Sequence, residues 1–225
     1  MRERVRFIAV SSIRKKTLLC HFSDCRAVLS WVHMFDLTQE ERRTFAKLKT
    51  PERIQDFLDN LPINHEKRGE THYSPRIVLQ KKKAHCLEGA LLAAAALWLA
   101  GEKPLIMNLR TLPRDDDHAV TLFRRNGLWG ALSKTNHAVL RYRDPIYKTP
   151  RELALSYFHE YFLNDTGTKS LRSYSTPLDL SRFGTDWVTE EKPLTALAHE
   201  LRDSRHHALI PENTARMLRN ASTLE

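Results

Sequence analysis

The chain has few cysteines and no long apolar run, and each shortage excludes something. Three cysteines in 225 residues, Cys20, Cys25 and Cys86, cannot all pair within one chain. They lack the dense spacing of a disulfide-stapled secreted domain, so a reducing, cytoplasmic setting is expected. The longest apolar stretch, from Ala90 to Ala100, covers eleven residues, whereas a membrane-spanning helix needs about 20. No membrane partner is therefore expected. The early apolar pieces "FIAV", "TLLC" and "AVLSWV" are too short for a secretory signal, and no small-residue cleavage pattern follows them. No internal repeat is present.

A negatively charged surplus is also missing. The net charge is +9, which by itself would suggest a nucleic-acid partner. Its distribution argues otherwise. Residues 1–33 carry seven Lys and Arg side chains against two acidic ones, leaving a surplus of only +4 over the remaining residues. The body is nearly balanced, so nucleic acid is not the expected partner. Residues 1–33 read as a dispensable extension or a mis-assigned start, with Met34 opening a single domain over 34–225. Hydrophobic residues make up 41% and charged ones 28%, enough to bury a substantial core.

Helix signals come first along that body. In "MFDLTQEERRTFAKL", Thr38 and Glu41 form a capping box. "KTPERIQDFLDNLP" offers Thr50 as a cap, Pro51 in the first turn and an apolar stripe at Ile54, Phe57, Leu58 and Leu61. "KKKAHCLEGALLAAAALWLAG" then opens a helix at Cys86 that is apolar on every side from Ala90 and stops at Gly101. The period changes after that. "KPLIMNLR" (103–110) reads as a buried strand, and "HAVTLFRR" (118–125), the turn "NG" and "LWGALS" (128–133) read as a hairpin. A helix is expected over 150–162, with Thr149 as cap, and further helices near 190–203 and 211–220. Helices, one central helix, antiparallel strands and more helices make an α+β fold.

Thiol chemistry needs a thiolate, a nearby base and a group that holds the base. Cys86 sits at a helix N-terminus, where unpaired N–H groups and the helix dipole favour a negative sulfur. The buried helix behind it is a rigid platform. The candidate base is His118, at the start of the first hairpin strand, facing the helix terminus. With a two-residue turn at 126–127, position 118 pairs near 135, so Ser133 and Asn136 return close to His118. Either is a candidate to orient the imidazole. Asp117 is adjacent in sequence but points to the other face of the strand.

A cysteine opening a buried helix, then His-Ala-Val at a strand start, then Leu-Trp-Gly-Ala-Leu in the next strand, resembles the transglutaminase-like core of the papain-like cysteine enzymes, over about residues 80–145. The body from Met34 is similar to bacterial proteins with such a core. The resemblance implies a central buried helix packed on a small antiparallel sheet, flanked by N- and C-terminal helices. It also implies a Cys86–His118 nucleophilic pair. The family usually has an Asp where this chain has Ser133, a departure that leaves the orienting residue open. The expected function is a cysteine-dependent amide or ester hydrolase or acyltransferase that uses no cofactor or metal and acts on an amide- or ester-bearing substrate, a peptide or protein being one candidate. The alternative is a catalytically degenerate scaffold serving as a binding module.

Simpler readings stand beside these. Cys86 alone could be a small buried hydrophobe, and Glu88 could merely complement the helix dipole. Asp115 to Asp117 read as a solvated loop, and Lys81 to Lys83 as a basic face. "CHFSDC" has a loose zinc-like spacing. Trp98 and Trp129 fit core positions, and His206–His207 reads as a pair in a polar turn.

Overall fold

The structure, a computed structural model, describes residues 35–67 and 69–222. The expectations for residues 1–33, the start at Met34 and the Cys20–Cys25 spacing all lie outside the described residues.

Local chemistry sets the first helices. Helix α1 (Gln39–Phe45) begins as the expected capping box, with Thr38 Oγ1 accepting from Glu41 N–H at 3.2 Å and Glu41 Oε2 accepting from Thr38 N–H at 2.7 Å. Helix α2 (Pro51–Asn60) starts at Thr50 and Pro51 and buries Ile54 and Leu58, one turn apart. After α3 (Pro75–Lys81) comes α4 (Cys86–Leu99). Every side chain from Ala90 to Leu97 is buried in α4, so the helix is the centre of a core rather than its lid. Gly101, at φ +91°, ends it, with Glu102 N–H reaching back to Leu97 O at 2.9 Å.

The sheet follows. Strands β1 (Leu105–Arg110), β2 (His118–Arg125), β3 (Leu128–Leu132) and β4 (Arg143–Tyr147) are laid down in order. Helix α5 (Pro150–Leu155), strands β5 (Ser173–Ser175) and β6 (Leu178–Asp179), helix α6 (Thr195–Asp203), strand β7 (His206–Ala208) and helix α7 (Glu212–Ala215) complete the chain. Strand order is β4-β3-β2-β1-β5-β7, β6 also pairs with β1, and all pairings are antiparallel. Asn126 and Gly127 take the positive φ angles of the hairpin turn, +52° and +81°. The β2–β3 register runs from Arg125↔Leu128 to Thr121↔Leu132. Extended by three residues, it sets position 118 opposite 135, as the two-residue turn requires.

The sheet separates two cores. Ala119 and Phe123 of β2 pack with α4, while Val120 and Leu122 pack with Leu153, Ala154, Tyr157 and Leu171 on the other side. Thr121 ties β2 to α4 by donating to Ala90 O at 2.6 Å. The architecture is thus α+β.

Several sequence expectations change. The sheet is not small: seven described strands build it, four of them too short or too charged to show an alternating pattern. The helix expected over 150–162 stops at Leu155 and continues as turns. His206 and His207 lie in β7, half-buried, rather than in a turn. Trp98 and Trp129 are half-buried instead of central. Trp98 stacks on Trp187 at 6.0 Å, and Trp129 lies under the Arg124 guanidinium at 4.8 Å.

Candidate active site

Cys86 is the first residue of α4, and the residue before it caps the helix. His85 Nδ1 accepts from Leu87 N–H at 3.2 Å, and Glu88 Oε2 accepts from His85 N–H at 3.0 Å. The half-buried Cys86 Sγ lies 3.8 Å from His85 Nδ1 and 3.9 Å from Asp117 O. It opens into a cleft of about 1130 Å³ whose walls include His118, Asn136 and Tyr161.

His118, the first residue of β2, is 4% exposed and places Nε2 2.6 Å from Ser133 Oγ. Ser133, just past β3, is completely buried. If Nε2–H donates to Ser133 Oγ, Nδ1 keeps its lone pair for the thiol. Asn136, the other orienting candidate, is exposed on the cleft wall, and Ser133 takes the ring nitrogen it would have needed. The Asp117 carboxylate accepts from Thr111 N–H at 2.9 Å and Asn108 Nδ2 at 3.0 Å, away from His118. Asp115 accepts from Ser170 Oγ, and Tyr161 Oη donates to Asp116 O at 2.9 Å. These bonds fix the loop before His118.

The end of β3 is held just as firmly. Gln55, 5% exposed on α2, grips the Ser133 backbone twice: Nε2 donates to Ser133 O at 2.9 Å and Oε1 accepts from Ser133 N–H at 3.0 Å. Next in sequence, the buried Lys134 donates to Leu58 O at 2.9 Å and to Leu61 O, capping the end of α2. The stem of Lys134 lies against α4 at Gly89. A Cβ on Gly89 would fall 2.3 Å from Lys134 Cβ, so only glycine lets Ser133 come this near the helix that carries the thiol. Gly89→Ala is expected to destabilise the fold by about 1–3 kcal/mol, the usual penalty for overpacking, read as a lower midpoint in urea denaturation. An unchanged midpoint would show that the helix and Lys134 can part freely.

Electrostatics favour a thiolate. Burial alone would raise the Cys86 thiol, but hydrogen bonds and positive charge from His118 and His85 outweigh it and pull the group down to about 5. Burial likewise opposes charge on His85. Its contact with the thiolate and the nearby Glu88 and Glu66 carboxylates overcome that and raise it to about 9. His85 Nε2 lies 3.0 Å from Glu66 Oε1 and 3.6 Å from Glu88 Oε1. Neither oxygen is in line with the ring N–H, so these contacts are ionic rather than well-formed hydrogen bonds.

Donor atoms of Glu66, His85 and Glu88 lie within 4.8 Å of one another, a spacing that a cation could bridge. Glu88, however, already accepts from Thr71 Oγ1 at 2.6 Å, Tyr73 N–H at 3.0 Å, His85 N–H at 3.0 Å and Asn64 Nδ2 at 3.1 Å. A carboxylate so satisfied is a structural anion, and the cluster does not fit a metal centre.

The structure thus brings Cys86, His118 and Ser133 together. Sequence reading missed His85 and Glu66. The signal for His85 was the pair His85 and Glu88, three residues apart across the helix start, although histidine is an unusual cap. Gln55 and Lys134 left no signal, because their partners are distant in sequence. No protein-family model matches the chain, and no curated protein is significantly similar to it.

Proposed function

We propose that this chain is a cysteine-dependent acyl-transfer enzyme, with a transglutaminase-like layout, that attacks an amide or ester carbonyl through Cys86. One observation carries the reading: a helix-start thiol in an open cleft partners an imidazole that Ser133 fixes at 2.6 Å. The Cys86 thiolate forms a bond to the carbonyl carbon. The oxygen takes up negative charge beside the first N–H groups of α4, which have no partner within the helix. Leu87 N–H is held by His85, so the N–H of Cys86 itself is the nearest donor.

His118 carries the thiol proton as imidazolium and gives it to the departing amine or alcohol as the carbon–leaving-group bond breaks. Water or an amine then attacks the thioester and loses its proton to His118, and Cys86 leaves as thiolate. Ser133 is a positioning residue, holding Nε2 so that Nδ1 is the ring nitrogen left for the thiol proton. At about 1130 Å³ the cleft exceeds the ~300–1,000 Å³ of small-molecule pockets, so a peptide or protein segment is the proposed substrate. A reducing compartment such as the cytoplasm would keep the thiol free.

The test uses the full chain and a chromogenic ester, quenched in acid and digested for peptide mass spectrometry. An acyl group on the Cys86 peptide is the expected result. Absence of an adduct, with turnover no faster than for the denatured chain, would overturn the reading in favour of a non-catalytic binding scaffold.

A further inference from the structure

The thiol has two imidazoles beside it, and they are not equivalent. His118 Nε2 faces a neutral hydroxyl, Ser133 Oγ. His85 Nε2 faces two carboxylates, while its Nδ1 lies 3.8 Å from Sγ. Glu66 is itself held, its Oε1 accepting from Thr71 N–H. Glu88 has no exposed surface, and the bonds it accepts from Thr71 Oγ1 and Tyr73 N–H hold its carboxylate in place. Carboxylate, imidazole and sulfur therefore stand in series on the helix cap, a second relay distinct from His118 and Ser133.

Resting on the acyl-transfer reading, we infer that His85 is a second catalytic imidazole, a fixed cation that holds Cys86 as thiolate while His118 passes its proton to the leaving group.

Acyl transfer imposes two demands on one imidazole that conflict. A group that stabilises the thiolate should keep its proton, and a group that protonates the leaving atom should release it. Carboxylate neighbours favour the charged form of a histidine, and a hydroxyl favours it less. The two imidazoles divide the work accordingly. While His118 gives up its proton in one step and regains it in the next, Cys86 faces one constant positive charge, which stabilises the thiolate as it leaves the thioester. Protonation of His85 at Nδ1 also withdraws the lone pair that Leu87 N–H now uses. That N–H, fixed in the first turn of α4, is then left unpaired beside the N–H of Cys86 and is available as a second donor.

The groups facing His85 are Cys86, Glu66 and Glu88, with His72 at 6.5 Å between ring centroids. Glu70 lies beyond His72, at 3.3 Å from its Nε2, and His118 acts on His85 through the shared sulfur.

The experiment follows alkylation of Cys86 by iodoacetamide against pH in the full chain, resolved by peptide mass spectrometry. His85→Asn keeps a side-chain oxygen able to cap the helix but removes the charge. It is expected to raise the alkylation midpoint by about 1–3 pH units, the effect of removing one close opposite charge. Glu66→Gln, with the same shape and no charge, is expected to move the midpoint the same way by a smaller amount, and it covers the case in which the cap variant fails to fold. A midpoint unchanged in both variants but raised by His118→Ala would overturn the inference and leave the acyl-transfer reading intact. A wild-type midpoint in the ordinary thiol range would overturn that reading itself.

Discussion

Cys86→Ser brings acyl transfer down to background, a loss on the order of 10⁶-fold, the scale seen when a nucleophile is removed from a catalytic unit. The reason lies in ionisation. The imidazoles of His118 and His85 outweigh burial and pull the thiol down to about 5, so the thiolate is the form favoured at neutral pH. A serine hydroxyl in the same place stays protonated, because the same environment cannot bring an alcohol anywhere near that range. The shorter C–O bond also withdraws the nucleophile from its partners. Ester turnover measured beside far-UV circular dichroism separates this effect from misfolding, since a half-buried sulfur-to-oxygen change should leave the fold intact. Turnover within tenfold of wild type would mean that the reaction does not pass through Cys86.

His118→Ala is the second large effect. Loss of a positioned proton carrier costs about 10²–10⁴-fold in rate, and the alkylation midpoint of Cys86 should rise from about 5 toward the ordinary thiol range, because His118 is the first of the groups lowering it. The direction follows from charge: without the imidazolium, the neutral thiol gains relative to the thiolate, and a higher pH is needed to remove the proton. The variant also leaves the buried Ser133 hydroxyl without its 2.6 Å partner, at a cost of about 1–3 kcal/mol. Added imidazole, small enough for the space left behind, should restore part of the rate. A variant that keeps full activity, or one whose thiol midpoint does not move, would assign the base to another residue.

The site was more legible in the sequence than the sheet around it. Thr38 with Glu41, Thr50 with Pro51, and Asn126 with Gly127 act within four residues, and local chemistry fixes them wherever they occur. The run from Ala90 to Leu97 could only be a buried helix, and its first residue, Cys86, was marked by the abrupt change from the lysines before it. The hairpin register then brought Ser133 to His118 by counting from a two-residue turn.

Strands β5, β6 and β7 were hidden for a different reason. They are two or three residues long and exist because β1 and each other offer partners, which no local pattern encodes. Asn136 looked as suitable as Ser133, since both are small polar residues at the end of a strand. The choice depends on which one Gln55 and Lys134 pin beside α4, through contacts spanning more than seventy residues. His85 was missed because its neighbour drew attention as the nucleophile, while Glu66 reaches it from a loop with no periodic pattern.

The most direct test of the central claim is the pH dependence of Cys86 alkylation in the wild-type full chain, read on the Cys86 peptide so that Cys20 and Cys25 do not contribute. The account predicts a rate that rises through a midpoint near 5 and is already at its plateau at neutral pH. A rate that climbs only near the unperturbed ~8.5 of a free thiol, with no plateau below it, would contradict it and make Cys86 a structural residue.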